Sequence, residues 1–203
     1  MLVTETGATR ERLIAAAKQL LDEGGPEAVT LREVGRRAFV SHNAAYRHFV
    51  NRDALLAALA DEDLDDLVSL FRDVEETDSS SLTALRSSLL HLVDFARKRP
   101  GRYRLMLSEA SVRNPNGATE QKVAAAFQAL AEHIAKCQAE GDVRAGDPRK
   151  LASLVLATVH GLIDLERGGR LRDNTETSAP EEIVGLLLRL ISSELRPPHP
   201  KKE

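Results

Sequence analysis

The 203-residue sequence predicts an all-α fold, and three observations carry that expectation. Leucine and alanine dominate, aromatic residues make up 3% and tryptophan is absent, a composition that favours helix over sheet. Apolar residues recur three and four positions apart along most of the chain, the spacing of a buried helical stripe. Strand-like alternation with β-branched residues is hard to find anywhere. With 42% hydrophobic and 29% charged residues, the chain can also bury an ordinary core.

Taken in order, the elements number nine. A first helix is expected from about Thr9 to Glu23, with Leu13, Ile14, Ala17, Leu20 and Leu21 on one face, stopped by Gly24, Gly25 and Pro26. A short second helix starts at Thr30, where Thr30 and Glu33 have the spacing of a capping box. Ser41 caps a third helix from His42 to about Phe49, and Asn51 caps a long fourth one whose stripe is Leu55, Leu56, Leu59, Leu64, Leu67, Val68 and Phe71. The polar stretch Glu75 to Ser81 ends it. The fifth helix runs from about Ser81 to Lys98 and is broken by Pro100. A sixth lies near Tyr103 to Glu109, followed by an Asn114-Pro115-Asn116-Gly117 turn. The seventh, from about Thr119 to Glu140, carries Val123, Phe127, Leu130, Ile134 and Cys137. Asp147-Pro148 opens the eighth, Gly168 and Gly169 lie near its end, and Ala179-Pro180 opens the ninth. The domains expected are residues 1–52, residues 53–196, and a disordered tail at 197–203.

Charge is distributed unevenly. The formal net charge is −3, yet residues 28–52 hold Arg32, Arg36, Arg37, Arg47 and Arg52 against the single acid Glu33, a local +4. A charge run by itself is most often a solvated helix face. Here it coincides with two short helices joined by a tight turn, an arrangement that can lay the second helix in a major groove while the first crosses the backbone. Gly35 is small where such helices would cross, and Ala38, Val40 and Ala45 are apolar where they would pack. Periodicity alone leaves an ordinary helical hairpin open.

Other classes find less support. There is no Gly-rich phosphate loop, nucleophile elbow or acid pair with a histidine, so an enzyme is not expected. A purely structural helical adaptor would not need the local charge. Cys137 is the only cysteine, which precludes an internal disulfide. His91 with Asp94, and His160 with Asp164, have helical spacing, but two ligands are too few for a metal site. No cofactor is expected. The opening MLVTETGATRER lacks the pattern of a signal peptide, and the apolar run around Leu151 to Leu165 is too short to span a bilayer; a cytoplasmic location is expected.

Over roughly residues 9–60 the sequence resembles the TetR family of bacterial regulators, on TRERLIAAAKQLLDEGG, then VTLREVGRRAFVSHNAAYRHFVNRDALLAAL, with Tyr46-Arg47-His48-Phe49 at its Tyr-x-His-Phe position. The resemblance implies a DNA-binding transcription regulator. By position, it implies that Thr30 meets a phosphate, that Ser41, His42 and Asn43 front the recognition helix, and that Tyr46 reaches a phosphate or base. It also implies that Arg52 stands where a lysine often meets phosphate, and that His48 and Phe49 mainly hold the fold. Arg32 joins the same DNA-binding set. Base contacts are expected mainly from His42, Asn43 and Arg47, with Arg47 suited to guanine and Asn43 to adenine. The family usually has glycine where this chain has Phe39, so either the turn differs or packing of the ring meets the cost of a left-handed residue.

Further along, Ala157-Thr158-Val159-His160-Gly161-Leu162 resembles the Trp-x-x-His-Gly type of C-terminal domain, without its tryptophan. The eighth and ninth helices are apolar on more than one face, at Leu151, Leu154, Val155, Leu162, Leu165, Leu186, Leu187, Leu190 and Ile191. A homodimer face is expected there, with burial inside one chain as the alternative. An effector pocket is expected among helices four to eight, at Leu67, Phe71, Leu89, His91, Phe95, Met106, Phe127, Leu130, Ile134 and His160, with His133 and Asp94 adding polarity; each taken singly also fits plain core. The resulting expectation is a repressor that binds a palindromic operator as a homodimer and is released by a small, mostly apolar ligand. The fourth helix would carry the signal.

Overall fold

The computed structural model describes residues 2–72, 80–107, 118–170 and 179–193. Among them are nine α-helices: α1 (Leu2–Gly24), α2 (Leu31–Arg37), α3 (His42–His48), α4 (Arg52–Arg72), α5 (Ser81–Lys98), α6 (Pro100–Met106), α7 (Ala118–Ala139), α8 (Pro148–Arg167) and α9 (Pro180–Ile191), with a 3-10 turn at Pro26–Ala28. The described residues contain no strand, only an isolated antiparallel bridge between Val143 and Ser192. The Asn114–Gly117 turn and the tail 197–203 lie outside the described residues, as does most of the stretch 75–81.

Local chemistry sets most boundaries. Ser41 Oγ accepts from the Ala44 N–H at 3.3 Å, Asn51 Oδ1 from Ala54 at 2.8 Å, and Asp147 Oδ1 from Arg149 at 2.9 Å, each satisfying a donor that the first helical turn leaves open. Two boundaries differ from expectation. α1 begins at Leu2 rather than Thr9, because apolar periodicity marks the buried part of a helix rather than its hydrogen-bonded extent. α6 begins at Pro100, expected as a breaker, because a proline at the first helical position loses no intrahelical bond.

The chain divides into two units. The first holds residues 1–66 and 98–123, the second residues 67–97 and 124–203. The division falls inside α4, after Asp66, and α6 groups with the N-terminal helices. In the first unit α1 buries Leu13, Ile14, Ala17, Leu20 and Leu21 against Val29, Leu31, Val34, Ala45, Phe49, Leu55, Leu59 and Leu105. Each such large apolar side chain contributes about 1.5–3 kcal/mol when fully buried. α6 lies hard against α1: a Cβ on Gly101 would stand 2.8 Å from the Leu21 carbonyl oxygen. Arg102 of α6 pairs with Asp63 of α4 through both carboxylate oxygens, its Nε donating at 2.9 Å, with both side chains buried. Lys18 adds a third charge, 3.5 Å from Asp63.

In the second unit Phe71, Leu85, Leu89, Leu92, Leu130, Ile134, Val155, Val159, Ile163, Val184, Leu188 and Ile191 are buried, and α8 packs against α9. Arg97 ties α5 to both, donating to Glu166 at 2.9 Å and Glu181 at 2.5 Å.

Candidate nucleic-acid interface

α2 and α3 have seven residues each, too few to be stable alone. Leu31, Val34 and Ala38 on one side and Ala45 and Phe49 on the other hold them to the core. Their approach depends on Gly35. A Cβ there would meet the Val40 carbonyl oxygen at 3.3 Å and the Ala45 Cβ at 3.6 Å, so a larger residue would push α3 away from α2.

The turn between them is a Schellman arrangement. Val40 N–H donates to the Gly35 carbonyl at 2.9 Å and Phe39 N–H to the Arg36 carbonyl at 3.3 Å, while Phe39 takes the left-handed conformation with φ 54°. The glycine-type turn is therefore kept, at a cost of about 1–2 kcal/mol for a residue with a Cβ. The expectation that ring packing could meet this cost is corrected: the ring is 92% exposed.

Thr30 caps α2, its Oγ1 accepting from the Glu33 N–H at 3.2 Å. The reciprocal half of the capping box is replaced. The Glu33 carboxylate accepts from Arg36 at 2.8 and 2.6 Å instead, and this hydrogen-bonded guanidinium holds the Glu33 carboxyl below its ordinary range. Arg37 pairs with Glu23 of α1 at 2.6 Å. Arg52 donates from Nε to the Val29 carbonyl at 2.9 Å and from Nη2 to the Pro26 carbonyl at 2.5 Å. The expected phosphate ligand is thus also a clamp on the 3-10 turn, with only Nη1 uncommitted to it.

Of the five arginines that make the segment basic, Arg32 on α2 and Arg47 on α3 are exposed and have no carboxylate within 4.0 Å among the described residues. Asn43 and Tyr46 are exposed on α3, His48 is half-buried, and Phe49 is buried; His42 opens the helix. Ser41 is exposed at its cap. Sequence reasoning did not single out Arg10 of α1, whose guanidinium stands 5.6 Å over the Phe49 ring. Its partner is 39 positions away, beyond any helical spacing.

The residues expected at an effector pocket are placed unevenly. Phe71, Leu89, Leu130 and Ile134 are buried in the second unit; Leu67, Phe95, Phe127 and His160 are half-buried and His91 is exposed. Met106 is buried in the first unit. His133 is buried, with Nε2 3.0 Å from the Ser81 carbonyl oxygen and no hydrogen bond at Nδ1. Burial pushes its pKa down, against the opposing pull of that carbonyl. Burial pushes the Cys137 thiol up to about 12, which makes it unreactive near neutrality. The dimer-face residues split by exposure. Val155, Leu162, Leu187 and Ile191 are buried and Leu151 is half-buried, whereas Leu154, Leu165, Leu186 and Leu190 are 41–51% exposed. No group of three metal-ligating side chains occurs among the described residues, and no helix there is long and apolar enough to cross a membrane.

An all-helical chain with a capped, basic helix-turn-helix held on a supporting helix defines a helix-turn-helix DNA-binding regulator. The family model for bacterial regulatory proteins of the tetR family matches residues 13–59, and that for the tetracyclin repressor-like C-terminal domain matches residues 85–191. The chain belongs to the TetR family of transcription regulators, and not to a family of enzymes. It is 28% identical over 158 residues to an uncharacterized HTH-type transcriptional regulator of Mycobacterium tuberculosis, covering 76% of this chain and 80% of that one. It is 26% identical over 160 residues to the nucleoid occlusion factor SlmA of Sodalis glossinidius, with the same coverage. Among solved structures it is similar to a Rhodococcus protein of unknown function, with a TM-score of 0.75, 29% identity, and coverage of 91% of this chain and 95% of that one.

Proposed function

We propose that this TetR-family regulator is a cytoplasmic homodimeric repressor that binds a palindromic operator and releases it on binding a small, mostly apolar ligand. The observation that carries this reading is the pairing of two unsatisfied surfaces. One is the exposed set Arg32, Asn43 and Arg47 on α2 and α3. The other is the half-exposed leucine stripe on α8 and α9. A single recognition helix reads too few base pairs to be selective, and a two-fold dimer doubles the site.

The stripe on α8 runs through Leu154, Thr158, Gly161 and Leu165, at steps of four, three and four. Gly161 is exposed and a Cβ there would meet nothing within 4 Å. A glycine inside an exposed helix costs about 1 kcal/mol relative to alanine. Close approach of a second copy's helix would use the missing side chain. The ligand would bind the state whose recognition helices no longer match successive major grooves, since only such a preference shifts the population; α4, which crosses from one unit to the other, would carry the change.

The test is selection of bound duplexes from a random pool, with light scattering of the protein alone. An inverted repeat and a mass of two chains are expected. A non-palindromic selected site or a clean monomer mass sinks the dimeric-operator reading. Promoter occupancy with a reporter gene separates repression from activation.

A further inference from the structure

Two positions ahead of the α3 cap stands a residue the local fold does not account for. Phe39 holds a left-handed backbone, with φ 54°, and its ring is 92% exposed. In a Schellman turn the apolar contact with the helix end is made by the residue after the left-handed one, here Val40, which packs against the core. Gly35 at the inner end leaves only 3.3 Å between a would-be Cβ and the Val40 carbonyl. The turn therefore needs its small residue at 35, prefers a small one at 39, and leaves the phenyl ring facing solvent among the described residues.

What the ring does have is a location. It lies in the turn between α2, which exposes Arg32 and Arg36, and the exposed front of α3, Ser41 and Asn43. This surface is the one whose uncommitted cations, Arg32 and Arg47, suit a polyanion. A phenyl ring at the edge of such an interface meets the apolar parts of a duplex, the deoxyribose faces and the thymine methyl groups. We propose that Phe39 is a DNA-contacting residue, packing on a deoxyribose or thymine-methyl edge beside the half-site that α3 reads. The inference rests on the DNA-reading role of α3 and adds a contact that the usual glycine of that turn could not make.

The test uses Phe39→Gly and Phe39→Asn in the full chain. Both replacements tolerate a left-handed backbone and both delete the ring. Removing the strain should raise Tm by about 2–8 °C, while affinity for a labelled duplex selected by the wild type should fall roughly 5–10-fold. Stability and binding thus move in opposite directions, which misfolding cannot imitate. Phe39→Trp adds a second readout, since the chain has no tryptophan of its own; its emission should change on adding the same duplex. Replacing single thymines by uracil then separates the two edges. A loss confined to one or two positions identifies the methyl, and no loss at any position identifies the sugar.

Wild-type affinity retained by both variants, with an unchanged tryptophan signal, overturns the proposal while leaving the DNA-reading role intact. A wild type that binds no duplex overturns both. A change of mass in light scattering with unaltered DNA affinity assigns the ring to a second copy of the chain and also overturns it.

Discussion

The helix-turn-helix and the α8–α9 pair leave different chemistry uncovered. Around α2 and α3 the apolar residues turn inward, and the outward positions hold Arg32, Asn43 and Arg47, with Phe39 and the half-exposed Tyr46 beside them. On α8 and α9 the inner faces are equally closed, at Val155, Val159, Leu162, Leu187 and Ile191, yet a second face of leucines remains half-exposed. A cationic, hydrogen-bonding surface suits a polyanion reached from water. A leucine stripe suits another apolar surface, because only removal from water gains free energy for it. The difference makes the two regions separable by mutation.

The largest effect should come from the leucine stripe. Leu186→Glu with Leu190→Glu places two charges where a second copy would pack, and both positions are exposed enough for the single chain to fold. Light scattering should show half the wild-type mass, and operator affinity should fall by several orders of magnitude as two half-sites are no longer read together. Intact mass and affinity would break the contrast drawn above.

Next comes a break inside the first unit. Asp63 is buried against Arg102, and Lys18 is near. Asp63→Ala leaves that guanidinium buried and unpaired, and should cost about 3–5 kcal/mol in denaturant unfolding. Replacing both partners, Asp63→Leu with Arg102→Met, should recover most of that loss, since well-packed apolar residues often substitute for a buried pair. A double variant as unstable as the single one would show that the pair itself, rather than the orphaned charge, supports the fold.

Smaller effects should distinguish cations that look alike in the sequence. Asn43→Ala or Arg47→Ala should each cost about 1–3 kcal/mol in operator binding and relax sequence preference if each makes a bidentate base contact. Arg32→Ala should lower the salt slope of binding by about 1. Arg36→Ala should hardly change it, because Arg36 already answers Glu33. Equal salt slopes for the Arg32 and Arg36 variants would remove the distinction between paired and uncommitted arginines.

That distinction also shows what the sequence could convey. The caps at Thr30, Ser41, Asn51 and Asp147 were legible because donor and acceptor lie within one helical turn. The second half of the Thr30 box was not, because Arg36 competes for the same carboxylate and a charge-assisted fork is the stronger bond. Arg52 reads as a phosphate ligand by position, yet its carbonyl acceptors lie 23 and 26 residues away. Arg102 and Asp63 stand 39 apart on helices whose contact only the tertiary fold creates. The apolar stripes of α8 and α9 were legible as apolar. Which leucines face inward was not, because inner and outer leucines have the same side chain and only the packing of the neighbouring helices separates them.

The two units should also part company in acid. Burial depresses the pKa of His133 and, against the pull of Asp164, that of His160; both belong to the second unit. The folded state therefore favours the neutral imidazoles, while the unfolded chain takes up protons near the ordinary value of about 6.5. Stability from these groups is complete above that value and is lost as pH falls through the lower folded values. Between about pH 7 and pH 5, Tm should drop by on the order of a few degrees. His133→Gln should flatten the slope, since its amide can still donate to the Ser81 carbonyl without titrating. Hydrogen exchange across the same range should open α5 and α7 before α2 and α3. A pH slope unchanged in the His133→Gln, His160→Gln double variant would place the acid sensitivity elsewhere, and uniform opening of both units would erase the difference between them.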